Sequence, residues 1–117
     1  MNEISVRNIY YYKSFYLNFF QTLKPEVKRK FNWTLKLIAT IDRVPVKYFS
    51  YMNGTNGLYE VRVEVGTDIY RVFSFFDEGQ LIILLNGFQK KSQKTPQSEI
   101  VLAEKLKKQY FDEKSEK

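Results

Sequence analysis

Residues 58–76, LYEVRVEVGTDIYRVFSFF, decide how this chain folds. Leu58–Val65 alternates in polarity and Ile69–Phe76 is β-branched and aromatic, so both segments read as strands. Gly66 and Thr67 between them suit a two-residue hairpin loop. That loop sets the register, with Val61 opposite Val72, Val63 opposite Tyr70, and Arg62 opposite Arg71. Downstream, Leu81–Phe88 is a continuous apolar run preceded by Glu78-Gly79, which predicts a third strand after a second two-residue loop. On that register Arg71 faces Asn86 and Val72 faces Leu85. One face then carries Tyr59, Val61, Val63, Val65, Tyr70, Val72, Phe76, Leu81, Ile83 and Leu85, and needs helices over it. The other carries Glu60, Arg62, Glu64, Arg71, Phe73, Phe75, Leu84, Asn86 and Phe88, a surface of aromatic rings around two arginines.

The flanking segments supply the helices. Ser14 is placed to cap a helix over Phe15–Leu23, apolar on nearly every side. Pro25 fits the first turn of a second helix, in which Val27, Phe31, Leu35, Ile38 and Ile41 recur at three- and four-residue steps. Pro45 forbids its extension. Ile9–Tyr12 is rich in β-formers and is a candidate fourth strand, and Met52–Gly57 is turn chemistry. Thr95 caps a last helix with Pro96 at its first position and a buried stripe of Ile100, Ala103, Leu106 and Tyr110. The expected fold is α+β: two N-terminal helices, an antiparallel meander with the N-terminal strand, and a closing helix. Residues 1–111 form one domain and 112–117 a charged, frayed tail.

With 117 residues, 44% hydrophobic and 17% aromatic, the chain can build one packed core, which excludes a disordered protein. It has no Cys and no His. Disulfides, thiolate nucleophiles, histidine acid/base pairs and the usual zinc sites are therefore excluded, and no metal or cofactor is expected. The longest apolar run, Leu81–Leu85, falls far short of the ~20 residues of a membrane span. The N-terminus carries Glu3 and Arg7 and has no apolar signal segment. A cytoplasmic, soluble, basic domain is the expectation.

The net charge of +6 suits an anionic partner, and it is unevenly spread. Between Glu78 and Glu99 the only charges are Lys90, Lys91 and Lys94; between Glu26 and Asp42 they are Lys28, Arg29, Lys30 and Lys36. Arg62 opposite Arg71 destabilises a sheet by about 0.2–1 kcal/mol unless an anion sits between them. Two guanidinium forks on a rigid sheet can grip a phosphate, with Phe73 or Phe88 offered for base stacking. The alternative is that Glu60 and Glu64 neutralise the arginines diagonally. Lys90, Lys91 and Lys94 lead towards a helix N-terminus, a second feature suited to anions.

Four segments carry a family resemblance: Leu58-Tyr59-Glu60-Val61-Arg62, Tyr70-Arg71-Val72-Phe73, Leu85-Asn86-Gly87-Phe88-Gln89-Lys90-Lys91, and Lys94-Thr95-Pro96. In order and spacing they resemble the phage-derived, HigB-like branch of the RelE/ParE toxin superfamily, over roughly the second half of the chain. The resemblance implies a RelE-like fold. It also implies the toxin of a type II toxin–antitoxin pair, acting as a ribosome-dependent mRNA endoribonuclease and neutralised by a HigA-like helix-turn-helix antitoxin. By position, Arg62, Arg71, Lys90 and Lys91 match the catalytic basic residues, and Lys94 an RNA-binding one. Phe73, Asn86 and Phe88 are the further RNA-binding candidates. An acidic antitoxin segment is expected over the basic face or near Lys24–Lys30.

RNA cleavage needs the 2′-OH activated, charge on phosphorus stabilised and the leaving 5′-oxygen protonated. Arginine suits the second task and cannot act as a base. Without histidine, which nuclease relatives place at this site, proton transfer falls to a lysine of lowered pKa, a carboxylate, a tyrosine or solvent. Lys90 or Lys91 beside two arginines meets that need, with Tyr70, Glu60 and Tyr110 as weaker candidates. Two other readings remain: a ParE-like gyrase inhibitor, or a non-catalytic phage-derived module that binds nucleic acid or a partner.

Overall fold

The chain runs β1 (Asn8–Tyr11), α1 (Phe15–Gln21), α2 (Pro25–Thr40), β2 (Phe49–Tyr51), β3 (Tyr59–Val65), β4 (Asp68–Phe76), β5 (Leu81–Lys90) and α3 (Gln97–Ser115). This is a computed structural model that describes residues 5–91 and 94–116. Glu3, Lys117 and the Ser92-Gln93 portion of the lysine loop lie outside them. The β3–β4 hairpin forms in the expected register, with Arg62 opposite Arg71 and Val65 opposite Asp68 closing the ladder. Gly66 takes φ +61 at the first loop position, the conformation a type II′ turn requires there.

The sheet differs from the expected meander in two ways. Its five strands are ordered β1-β5-β4-β3-β2, and β1 pairs with β5 in parallel, so the sheet is mixed. β2 is a three-residue edge strand on β3 that lies directly before the Asn/Gly turn. Its brevity left no readable alternation.

The register of β5 also departs from expectation. The loop after β4 is longer than two residues, closed by Asp77 and Leu81 bonding each other's side of the turn, and Phe76 pairs with Ile82. This one-residue slip reverses the first half of β5. Ile82 and Leu84 join Val61, Val63, Tyr70 and Val72 in a core under α1 and α2. Ile83 and Leu85 instead join Phe73, Phe75 and Phe88 in a second core under α3. Both faces of the sheet are therefore covered, and the expected open aromatic surface is not present.

α1 ends at Gln21, two residues early, and only Tyr16 in it is fully buried. Ser14 stands at its N-cap without a side-chain cap bond. Arg7, unassigned from sequence, caps the far end of α2. Its guanidinium donates to the carbonyls of Ile38, Ile41 and Asp42 at 2.9, 2.9 and 2.7 Å, satisfying carbonyls that a helix end leaves unpaired. No helix among the described residues is long and apolar enough to cross a membrane.

α3 begins one residue later than expected, with Pro96 at the N-cap, and continues through Ser115. The expected frayed tail is helical to that point because its side chains are held. The Tyr12 hydroxyl donates to Glu113 at 2.6 Å, while Tyr110 and Lys114 donate to Asp77 at 2.5 and 2.9 Å. The Asp77 side chain is only 3% exposed. Burial alone would raise its pKa, but the Tyr110 and Lys114 bonds outweigh it and hold the carboxyl below its usual range. A depressed carboxyl pKa stabilises the fold above the unfolded value of about 3.9 and loses that contribution as pH falls through the folded value. Asp77→Asn is expected to cost about 1–3 kcal/mol at neutral pH. The gap from the parent should narrow in urea titrations below about pH 4.

Candidate functional site

The Arg62–Arg71 pair lies midway along the ladder of the central hairpin, and each guanidinium has a carboxylate. Arg62 contacts Glu64 at 2.6 Å, with side chains 30% and 52% exposed. Arg71 contacts Glu60 at 2.8 Å, with both side chains only 12% exposed, and donates to the Thr95 hydroxyl at 3.2 Å. The neutralisation weighed from the sequence is thus realised, diagonally across the strands for Arg71 and Glu60 but along β3 for Arg62 and Glu64. It has different consequences for the two arginines. An exposed pair contributes about 0–1 kcal/mol, so Glu64 is readily exchanged for another anion. The Arg71–Glu60 pair is largely sealed from solvent. The expectation that both guanidiniums close on one phosphate is corrected: Arg62 is the presented cation, and Arg71 is held inward by Glu60 and Thr95. The Nε atoms of both arginines are buried and have no partner among the described residues.

Lys90 completes the cluster. Its pKa is pushed down by burial first, then by Arg71 and Arg62, with Glu60 opposing. A bulge in β5 puts it there. Ser74 pairs with Leu84 but Val72 pairs with Gly87, so two residues of β5, Leu85 and Asn86, stand against Phe73. Both turn towards α3. Beyond the bulge the alternation is restored, Phe88 lies opposite Arg71, and Lys90 follows on the same side. Gly87 fits this kink because Phe19 of α1 packs onto it; a Cβ there would meet three ring atoms within 3 Å.

The other sequence candidates are dispersed. Lys91 follows Lys90 in extended chain and is exposed on the opposite side, where it lines a recess of about 370 Å3 with Lys24, Thr22, Gln89 and Tyr70. Lys94 is exposed immediately before Thr95. Phe73 is 0% and Phe88 9% exposed; they pack on each other at 5.4 Å within the α3 core, so base stacking on them is excluded while α3 is docked. Asn86 is buried, and its amide donates to the carbonyl and side chain of Glu99 at 3.2 and 3.0 Å, fixing the first turn of α3. Tyr70 is buried against Phe31 on the α1/α2 side. Tyr110 is bonded to Asp77, and burial with that carboxylate pushes its pKa up to about 12. Neither tyrosine reaches the basic cluster.

Sequence reasoning missed Thr95 as the acceptor for Arg71, because a threonine before Pro reads as a helix cap. It also missed Trp33 and Tyr48, whose rings meet at 5.5 Å on the surface. Among the described residues no cluster of three or more His, Cys, Asp or Glu side chains is arranged to hold a metal ion. What the site offers is fixed positive charge: one exchangeable guanidinium, one lysine that gives up its proton more readily than usual, and a second guanidinium locked behind them.

No curated protein matches the chain. The family model described as "Phage derived protein Gp49-like" (DUF891) matches residues 18–108, which include α2, the whole sheet except β1, and most of α3. The match spans the basic cluster and both helical layers, and the chain belongs to this phage-derived Gp49-like family.

Proposed function

We propose that this protein is the toxin of a type II toxin–antitoxin pair, of the HigB-like branch, and that it cleaves mRNA on the ribosome. A HigA-like helix-turn-helix antitoxin is its proposed partner. Membership of the Gp49-like family and the α+β fold are compatible with such a toxin. The observation that carries the reading is Lys90, partly buried and crowded by two guanidiniums that push its pKa down.

In the proposed reaction the 2′-oxygen attacks phosphorus, the P–O5′ bond breaks, and a cyclic phosphate forms. Arg62 releases Glu64 and binds the scissile phosphoryl oxygens, where fixed donors count most as charge develops. Lys90 gives its proton to the departing 5′-oxygen. Arg71 is a positioning residue: it holds Glu60 and Thr95 and loosens the Lys90 proton. Glu60 is engaged by Arg71 and only 12% exposed, so loss of the 2′-OH proton depends on solvent and on the alignment of mRNA in the ribosome.

Induced expression followed by mapping of mRNA 5′ ends tests this. Wild type should arrest growth and create new 5′ ends, and Arg62→Ala should reduce the new ends by about 100-fold, as loss of one preorganised donor does elsewhere. The near-sealed Arg71–Glu60 pair favours the binding-module reading instead. That reading takes over if expression yields no new 5′ ends.

A further inference from the structure

Away from the basic cluster, Trp33 of α2 is 51% exposed, an unusual place for so large an apolar ring. It stands edge-on to Tyr48 at 5.5 Å and 73°, and the Lys47 ammonium lies over the Tyr48 ring at 5.0 Å. The two rings line an open recess of about 510 Å3 with Glu26, Arg29 and Lys30, so two of the three charged lining groups are cationic. Helical spacing places Arg29 and Lys30 one turn before Trp33, on the same stretch of surface. This recess is tied to the strand that carries Arg62. The Lys30 ammonium donates to the Glu64 carbonyl at 2.6 Å, and the Arg62 N–H donates to the Tyr48 carbonyl at 2.9 Å.

We infer that Trp33, braced edge-on by Tyr48, is a stacking platform for an unpaired RNA base, with Arg29, Lys30 and Lys47 holding the flanking phosphates. Flat rings with interleaved cations are the features by which proteins hold single strands without reading sequence. The cations alone would serve an acidic peptide; the half-exposed indole beside them is the feature that a base uses in addition. The Lys47 ammonium already covers the Tyr48 ring, so the stacking face is that of half-exposed Trp33, and Tyr48 holds the indole edge-on and keeps the lysine next to it. The site is separate from the proposed cleavage chemistry and does not rest on it.

Trp33 is the only tryptophan of the chain, so its fluorescence reports this recess alone. Titration of the full chain with a short oligoadenylate RNA should quench it, and the midpoint should move to higher RNA concentration as salt is added. Anisotropy of the labelled oligonucleotide should show Trp33→Ala binding roughly 5- to 100-fold more weakly, with Trp33→Phe retaining most affinity. Half-exposed Trp33 contributes little to the core, and equal urea midpoints for the variants confirm that the fold is kept. The proposal is overturned if the RNA does not bind, binds without changing the emission, or binds Trp33→Ala equally well. It is also overturned if oligoglutamate quenches as strongly as RNA, which assigns the recess to an acidic protein partner. Lost quenching with mRNA cleavage intact removes the platform alone; the reverse outcome removes the nuclease reading alone.

Discussion

Lys90→Met is expected to lower mRNA cleavage by about 100- to 10,000-fold, the range over which a positioned proton donor acts, while leaving the fold at least as stable as before. The two halves of this result have one cause. Burial and then Arg71 and Arg62 disfavour the charged form of Lys90. A lysine whose folded pKa is lowered holds fewer protons than in the unfolded chain at pH values between the two. Stability therefore rises with pH across that window, and the charged lysine is a burden at neutral pH. Methionine fills similar space without the charge. Urea midpoints at pH 7 should be equal or higher for the variant, with 5′-end mapping showing the loss of cleavage. In the parent, cleavage should fall as pH rises through the lowered Lys90 pKa, because a proton donor must be protonated. A variant that loses stability and cleavage together would place Lys90 in the structure rather than in the reaction.

How much of this was readable in the chain differs from element to element, for physical reasons. The β3–β4 register followed from Gly66, since a two-residue loop fixes every pair above it and the apolar alternation of Val61, Val63 and Val65 allows no slip. The first half of β5 has no such alternation. Leu81–Leu85 is apolar at every position because both faces of the sheet are covered, so a longer loop reversed it without any contradiction visible in sequence. The bulge at Leu85–Asn86 then restored the alternation, which is why Phe88 lies on the expected side although the strand before it does not. The face of Phe73 and Phe88 differs with it: α3 carries the expected stripe of Ile100, Ala103, Leu106 and Tyr110, but a stripe does not say which sheet face it will cover. Arg62 and Arg71 looked equivalent because residue identity does not carry burial. Arg62 is 30% exposed beside the solvated Glu64, whereas Arg71, held by Glu60 and Thr95, is 12% exposed.

The inward arginine supports a second large effect, on stability. Glu60→Ala or Arg71→Ala alone is expected to cost about 3 kcal/mol, the lower end for breaking a buried pair, because each leaves a nearly sealed charge without its partner. Glu60→Leu/Arg71→Met should recover most of that loss. Removing both charges leaves no desolvated ion, and the double-mutant cycle should show strong coupling in urea midpoints. The same double variant separates positioning from phosphate binding. Arg71 lowers the Lys90 pKa more than Glu60 raises it, so deleting the pair moves that pKa upward. Cleavage should then persist to higher pH than in the parent, at a reduced maximal rate, because Lys90 yields its proton less readily. A phosphate-gripping Arg71 predicts something different: its loss would lower cleavage by about 100-fold or more at every pH. A shifted profile with only a modest loss of rate in the stable double variant thus identifies Arg71 as a group that, after burial, lowers the lysine's pKa from a position off the substrate.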